Sequence, residues 1–219
     1  MQPLVIAIDG PSGSGKSSTS KLVATRLGLA YLDTGSMYRA VTLGAMQAGV
    51  LDDPGAIVAL TKQAKLDVGT IPSAPTIAVD GVDVTAEIRD PQVSANVSKV
   101  SVIAEVRAIL TAQMQQIVAA AKAGIVLEGR DATTVITPDA DVRVLLVADA
   151  QARMARRNAE LGGLSQADLT DQVVRRDRDD ATVSQFETPA RGVTLIDSTN
   201  LTLDQAADAV IALAAAATG

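Results

Sequence analysis

The sequence predicts an α/β fold, a parallel sheet flanked by helices, from three observations. Two apolar runs, at residues 4–9 and 29–33, have the length of buried strands, and a helical pattern from about residue 15 to 27 lies between them and stops at Gly28. Strand, helix, strand at this spacing indicates a parallel pair joined by a right-handed crossover. A glycine-rich turn separates the first strand from the helix, and the same rhythm resumes after residue 124.

The glycine-rich turn fits the pattern G-x-x-x-x-G-K-[ST] over residues 10–17. Glycines let the backbone turn its N–H groups towards a phosphate chain, and the following helix directs its positive end at the same anion. Lys16 would reach the β- and γ-phosphates, and the Ser17 hydroxyl would ligate Mg²⁺. An ordinary Gly/Ser turn is the alternative, which the buried strand in front of it disfavours. The pattern predicts a P-loop NTPase-type sheet that binds a nucleoside triphosphate through Gly10, Pro11, Ser12, Gly13, Ser14, Gly15, Lys16, Ser17 and Ser18.

Composition excludes several other kinds of protein. The 219 residues are enough for one α/β core with a small insertion, and the lack of cysteine and histidine excludes disulfides, thiolate metal sites and imidazole bases. Phosphoryl transfer suits the remaining side chains, because it depends on positioning and positive charge. The net charge of −6 and the scarcity of aromatic residues argue against nucleic-acid binding. Without a long apolar run or a signal segment, we expect a cytoplasmic protein with no membrane partner.

A block of short strands interrupts the α/β rhythm. Runs at residues 66–68, 76–79 and 82–85 predict three strands, with Asp80-Gly81 as a tight hairpin turn, and Asp90-Pro91 is a typical helix start. This block is typical of an inserted subdomain. We therefore predict one domain over residues 1–219, with a core at 1–64, 100–160 and 191–219, an insertion at about 65–99, and a charged lid at about 161–190.

The remaining elements follow from apolar periodicity and helix caps. One helix is predicted from about residue 36 to 47, and two more are predicted between residues 91 and 124. A further helix contains Arg153 and ends at Gly162-Gly163. Strands are predicted at 125–128, 142–148 and 193–197. Thr202 and Gln205 form a capping box for a C-terminal helix.

Two further strand ends carry polar residues. The second strand is followed by Asp33-Thr34-Gly35-Ser36-Met37-Tyr38-Arg39, and a later strand ends in Glu128-Gly129-Arg130-Asp131. Ligands of open α/β sheets bind beyond the carboxyl ends of strands, so the arginines could hold a second phosphate, and a carboxylate of the second segment could serve an amino group or the metal shell. The alternatives are a solvated arginine in the first segment and an ordinary turn in the second.

Together these motifs resemble those of one family, the bacterial cytidylate kinases, which transfer the γ-phosphoryl group of ATP to CMP or dCMP. The resemblance covers essentially the whole chain, and the LDTGSMYR string is its most specific part. The motifs are GPSGSGKSS at 10–18, LDTGSMYR at 32–39, DVTAEIR at 83–89, EGRD at 128–131, RRD at 175–177 and LIDST at 195–199.

The resemblance implies roles for individual residues. It implies catalytic roles for Lys16, Arg130 and Arg176, and ATP contacts for Arg153 and Arg157, which with Arg156 match an arginine-rich helix leading into the lid. The implied CMP-binding set is Thr34, Tyr38, Arg39, Ser98, Arg107, Arg130, Asp131, Arg176 and Asp180. In that set Asp131 and Ser98 would accept from the cytosine amino group and Arg107 would donate to the ring, a pattern that uracil does not match. Without the resemblance, Ser98, Arg107 and the arginine-rich segments are typical of solvated helix faces.

The chain departs from the family pattern in two places. Val183 stands where most relatives have a further arginine, so Arg178 or Arg191 would have to replace that phosphate ligand. Ala132-Thr133-Thr134 stands where relatives have a small apolar residue, Gly and Thr, which could alter the backbone beside the acceptor. We expect a monomer that uses Mg²⁺ with ATP. Two alternatives stay open: a related kinase acting on UMP or another small metabolite, and a non-catalytic nucleotide-binding switch.

Overall fold

The computed structural model describes residues 3–161 and 188–218 of the chain. Strands and helices alternate at both ends of these ranges, and a run of three strands lies between residues 66 and 83. The strands are β1 (Val5–Asp9), β2 (Ala30–Asp33), β3 (Leu66–Val68), β4 (Ile77–Val79), β5 (Val82–Asp83), β6 (Ile125–Gly129), β7 (Val142–Val147) and β8 (Thr194–Asp197). The helices are α1 (Lys16–Leu27), α2 (Thr34–Gln47), α3 (Pro54–Gln63), α4 (Pro91–Ser101), α5 (Ala104–Ala120), α6 (Ala150–Leu161) and α7 (Leu203–Thr218).

Five strands form the central sheet, in the order β2-β6-β1-β7-β8. Every neighbouring pair is parallel, and Asp9 at the end of β1 lies opposite Gly129 of β6 and Leu145 of β7. The carboxyl ends of β1, β2 and β6 therefore lie along one edge of the sheet. This arrangement confirms the predicted α/β fold with a P-loop NTPase-type parallel sheet.

Helices cover both faces of the sheet. Alternate residues of β1 point to opposite sides, so its apolar side chains have to be buried on both faces. Ile6 and Ile8 belong to a buried cluster with side chains of α1 and α7. Ala7 belongs to a second cluster, which includes side chains of α2, α4 and α5. Both faces of β1 are fully buried, which explains why its sequence is continuously apolar rather than alternating.

A second, antiparallel sheet of three strands lies in the predicted insertion, in the order β3-β4-β5. Its hairpin turns at Asp80 and Gly81, whose φ angles of 52° and 84° fit the predicted Asp-Gly turn. Ile77 of this sheet belongs to the same buried cluster as Leu32 of the central sheet. The insertion thus packs directly on the core, and its boundaries stay a prediction.

Helix caps account for two differences from the predicted elements. α2 begins at Thr34, two residues earlier than predicted, because the Asp33 side chain accepts a hydrogen bond from the Ser36 N–H at 3.1 Å. α3 was not predicted, although Asp53-Pro54 opens it as Asp90-Pro91 opens α4. The Asp53 carboxylate accepts from the Ala56 N–H at 3.0 Å.

Most of the predicted lid, including Arg176, Asp180 and Val183, lies outside the described residues. Among the residues that are described, no helix is both long and apolar enough to cross a membrane.

Candidate functional site

The phosphate-binding loop predicted from the glycine motif connects β1 to α1. Gly13 and Gly15 have φ angles of 74° and 88°, in the left-handed region that favours glycine. A Cβ on Gly10 would lie 2.1 Å from the Leu146 carbonyl oxygen, and one on Gly13 would lie 2.6 Å from that of Arg153. No larger side chain fits at Gly10 or Gly13 without movement of the backbone, so packing requires glycine at these two positions, while at Gly15 it is the positive φ that favours glycine.

Among the described residues, three arginines hold the backbone carbonyls of this loop. The Arg130 Nη1 donates to the Gly10 oxygen at 2.8 Å, and the Arg153 Nη1 donates to the Ser12 oxygen at 3.1 Å. The Arg156 Nη1 donates to the Ser14 oxygen at 3.2 Å. Arg130 and Arg153 were predicted as substrate contacts, and here both bind the loop itself. Arg156 also binds the loop, and the side chain of Arg157 lies outside the described residues.

A buried carboxylate lies beside the first turn of α1. The Ser17 hydroxyl donates to Glu128 Oε1 at 2.6 Å, and the Tyr31 hydroxyl lies 3.2 Å from the same oxygen. Glu128 is only 3% exposed. The pKa of Tyr31 is raised by the burial of its own hydroxyl and by the negative charge of Glu128. The Lys16 Nζ donates to the Pro11 oxygen at 3.3 Å. Glu128 was not among the predicted site residues, although it is the first residue of the EGRD motif.

The turn that follows the EGRD motif is bound by Asp9. One Asp9 oxygen accepts from the Ala132 N–H at 2.9 Å, and the other accepts from the Thr133 N–H at 2.8 Å and hydroxyl at 2.6 Å. Burial raises the pKa of Asp9 to about 6, against the lowering effect of these hydrogen bonds. The carboxylate thus anchors a single wide helical turn, Ala132–Ile136, which includes the Ala132-Thr133-Thr134 segment.

Three of the predicted cytosine- and CMP-binding residues lie together. The Arg107 Nη2 contacts Asp131 Oδ2 at 2.5 Å, and the Asp131 side chain is 7% exposed. Tyr38 lies near this ion pair. Burial raises the pKa of Tyr38, the charge of Asp131 raises it further, and the charge of Arg107 lowers it. Ser98 lies half-buried on α4, one turn before Ser101, whose carbonyl oxygen is 3.5 Å from the Arg107 Nη1.

Thr34 and Arg39 lie at the start of α2, and both have partners within the protein. The Thr34 hydroxyl donates to the Glu128 carbonyl oxygen at 2.8 Å. The Arg39 Nη1 lies 3.6 Å from Asp33 Oδ2, while the other oxygen of Asp33 caps the helix. These contacts fix the segment that the LDTGSMYR string predicted to bind the acceptor, and its role towards a ligand stays a prediction.

The two parts of the site adjoin each other through Arg130 and Asp131. Arg130 contacts the phosphate loop, and Asp131, the next residue, pairs with Arg107. Arg130 and Asp131 directly follow β6, so one short segment makes both the contact with the phosphate loop and the ion pair with Arg107. Arg191, a candidate for the missing lid arginine, is exposed, and its backbone oxygen accepts from the Arg143 Nη2 at 3.2 Å.

Comparison with known proteins agrees with this geometry. The family model for cytidylate kinase matches residues 6–216. A cytidylate kinase of Cutibacterium acnes is 58% identical over 96% of both chains, and that of Nocardia farcinica is 49% identical over 94% of this chain and 91% of its own. The cytidylate kinase of Streptomyces avermitilis is 44% identical over 96% of this chain and 92% of its own.

Solved structures support the fold alone. A gluconokinase from Sinorhizobium meliloti has a TM-score of 0.50 at 14% identity, covering 100% of this chain and 96% of its own. An uncharacterized protein from Eubacterium ventriosum has a TM-score of 0.54 at 13% identity, covering 97% and 98%. The family model and the relatives carry the assignment: the chain belongs to the cytidylate kinase family.

Proposed function

We propose that this chain transfers the γ-phosphoryl group of ATP to CMP and dCMP, forming CDP and dCDP. The observation that carries this proposal is the Arg107–Asp131 pair, which stands one residue from the Arg130 contact with the phosphate loop. The phosphate loop fits a nucleoside triphosphate, and the pair beside it fits the polar edge of a pyrimidine. Membership of the cytidylate kinase family supports the same reaction.

The donor site suits ATP with Mg²⁺. Mg²⁺ prefers oxygen ligands and is usually held by one or two side chains together with substrate phosphates. The Ser17 hydroxyl and the Glu128 carboxylate, 2.6 Å apart, fit that preference, and among the described residues no larger acidic cluster competes for the ion. When bound there, the ion would neutralise charge on the phosphate oxygens.

The acceptor site suits a cytosine base. Asp131 and the Ser98 hydroxyl would accept from its 4-amino group, and Arg107 would donate to N3 and O2. Uracil carries an N–H at N3 and an acceptor at O4, so both polar contacts would be mismatched. The Arg107–Asp131 ion pair supports this role because it holds a donor and an acceptor side by side in a largely buried position.

Transfer needs positioning and positive charge rather than a general base, because the acceptor phosphate already carries nucleophilic oxygens. Lys16 would follow the migrating group, and Arg130 and Arg176 would neutralise charge on the equatorial oxygens. We also retain Thr34, Tyr38, Arg39 and Asp180 as acceptor contacts, and a monomer in the cytoplasm, as predictions.

The Lys16→Ala variant tests the donor site. We expect it to lose most CDP formation from Mg-ATP and CMP while its circular dichroism spectrum stays unchanged, because the phosphates lose their mobile cation. CDP is measured by chromatography, with a reaction lacking CMP as the blank. Lys62→Ala, which removes an exposed lysine at the end of α3, is the matched control and should keep full activity. Near-normal turnover in Lys16→Ala, or ADP formation that does not depend on CMP, would contradict the proposal.

A further inference from the structure

We propose that Ser198, together with Arg156, is a positioning residue of the phosphate loop that sets the affinity for ATP and leaves the affinity for CMP unchanged. This inference rests on the proposed function only in naming ATP as the ligand of that loop. Ser198 belongs to the LIDST string, to which the proposed reaction assigns no role.

Ser198 follows the edge strand β8 and reaches into the phosphate loop. Its N–H donates to the Val147 oxygen at 2.8 Å, which extends the β7–β8 pairing by one residue. Its hydroxyl oxygen lies 3.0 Å from the Ser14 oxygen and 2.9 Å from the Val147 oxygen. The residue is only 2% exposed, so the hydroxyl bonds within the protein and not to bulk water.

Arg156 joins the same two segments from the α6 side. Its Nη1 donates to the Ser14 oxygen at 3.2 Å and to the Ser198 hydroxyl at 3.0 Å. Its Nη2 donates to the Ser198 carbonyl oxygen at 2.6 Å. The planar fork of the guanidinium can hold several acceptors at once, which a lysine cannot do. Among the described residues, two side chains therefore lie within hydrogen-bond distance of the Ser14 carbonyl oxygen, one from the end of β8 and one from α6, and these two side chains also contact each other.

Holding the Ser14 carbonyl orients the next peptide N–H. In a trans peptide the C=O of one residue and the N–H of the next point in opposite directions. The described residues contain no cis peptide bond, so the Gly15 N–H points away from Ser198 and Arg156. Arg153 holds the Ser12 carbonyl in the same way, which orients the Gly13 N–H. These two N–H groups belong to the loop that would bind the phosphates of ATP.

This arrangement predicts a selective effect on one substrate. Loss of the Ser198 hydroxyl removes one of the two described contacts that hold the Ser14–Gly15 peptide. The peptide gains conformational freedom, and part of the free energy of ATP binding is then used to order its N–H. The acceptor contacts at Arg107 and Asp131 lie on other elements and do not depend on this peptide. A hydroxyl that served only the stability of the fold would weaken both ligands or neither.

The test is equilibrium binding by calorimetry, with adenylyl imidodiphosphate and Mg²⁺ as one probe and CMP as the other. We expect Ser198→Ala to weaken the ATP analogue roughly five- to tenfold, the effect of one lost hydrogen bond, while CMP binding changes less than about twofold. Ser198→Thr, which keeps a hydroxyl, should recover at least part of the loss. Thr61→Val is the matched control, because Thr61 is 2% exposed and its hydroxyl donates to the Ile57 oxygen at 2.8 Å, away from the loop.

A double-mutant cycle tests whether the two residues act together. If they hold one peptide, Ser198→Ala combined with Arg156→Lys should weaken the analogue by less than the product of the two single effects. Should Ser198→Ala fail to fold, Arg156→Lys alone carries the test, with the same selective loss of the analogue expected.

Unchanged binding of the analogue in a folded Ser198→Ala protein, or an equal loss for CMP, would overturn the inference. Calorimetry with the analogue requires no acceptor. A wild-type protein that binds the analogue but does not phosphorylate CMP would therefore contradict the proposed function and leave this inference standing.

Discussion

At the scale of single residues, the Arg107–Asp131 ion pair is the most informative feature of the proposed acceptor site. The Asp131 side chain is 7% exposed and that of Arg107 is 20% exposed, so water screens their charges only weakly. A buried pair of this kind contributes little net stability, since the attraction is offset by the loss of hydration. A role in binding therefore explains this pair better than a role in folding, which agrees with the proposed reading of the base.

Substitution of Arg107 by lysine separates the effect of the planar guanidinium from the effect of its positive charge. Lysine keeps a positive charge near Asp131 but loses the planar fork that would reach both N3 and O2 of cytosine. We expect kcat/KM for CMP to fall roughly ten- to hundredfold, the range for lost hydrogen bonds to charged groups, while the affinity for ATP changes less than about twofold.

The matched control is Arg26→Lys, which alters an arginine of α1 paired with Asp204 and Asp208 of α7 near the surface. It should leave both constants as in the wild type. Steady-state kinetics with CMP as the varied substrate gives the first constant, and calorimetry gives the second. An equal loss for CMP and ATP would remove Arg107 from base recognition.

At the scale of elements, side-chain caps mark where several of the described helices begin. Asp33, Asp53 and Asp90 each accept a hydrogen bond from a backbone N–H in the first turn of a helix, at 3.1, 3.0 and 2.7 Å. The capping box of Thr202 and Gln205 is present in both directions, at 2.9 and 3.2 Å. These caps satisfy N–H groups that the helix itself leaves without partners.

The cap of α3 can be tested by comparing the loss of Asp53 with the loss of the adjacent Asp52. Asp53→Ala should lower the free energy of unfolding by about 1 kcal/mol, because the Ala56 N–H loses its acceptor. Asp52→Ala removes the adjacent carboxylate, which pairs with Lys99 at 2.6 Å in an exposed position, and should cost less than about 0.5 kcal/mol. Urea denaturation measures both. A cost for Asp52→Ala equal to that for Asp53→Ala would show that charge, not capping, stabilises this region.

The parts of the fold that the sequence could predict are those with a local signal. The parallel strands, the Asp-Gly hairpin and the capped C-terminal helix each carry a periodic pattern or a turn motif. α3 was missed although Asp53-Pro54 has the same form as Asp90-Pro91. The turn at Ala132–Ile136 had no local signal, because its backbone is bound by Asp9, more than a hundred residues away.

Within the site, the predictable features were again local. The glycine motif indicated the phosphate loop, but nothing in the sequence indicated that Arg130, Arg153 and Arg156 bind its carbonyls. Those contacts depend on which strand lies beside β1 in the sheet. Glu128 is a similar case, since its contact with Ser17 exists only because β6 pairs with β1.

At the scale of the whole molecule, the strand order explains how two ligands can meet. β1 and β2 are consecutive in the chain but lie on either side of β6 in the sheet. The phosphate loop after β1, the EGRD motif after β6 and the LDTGSMYR segment after β2 therefore lie side by side at one edge. This edge is where open α/β sheets bind their ligands.

Base selectivity is the measurement that tests the central claim most directly. With Mg-ATP as donor, we would determine kcat/KM for CMP, dCMP, UMP and AMP separately. We expect CMP and dCMP to be used efficiently and UMP to be disfavoured by up to roughly 10⁴-fold, because uracil leaves the polar groups of Arg107 and Asp131 mismatched. Similar rates with all four nucleotides, or slow ADP release that is the same without any acceptor, would contradict a cytidylate kinase.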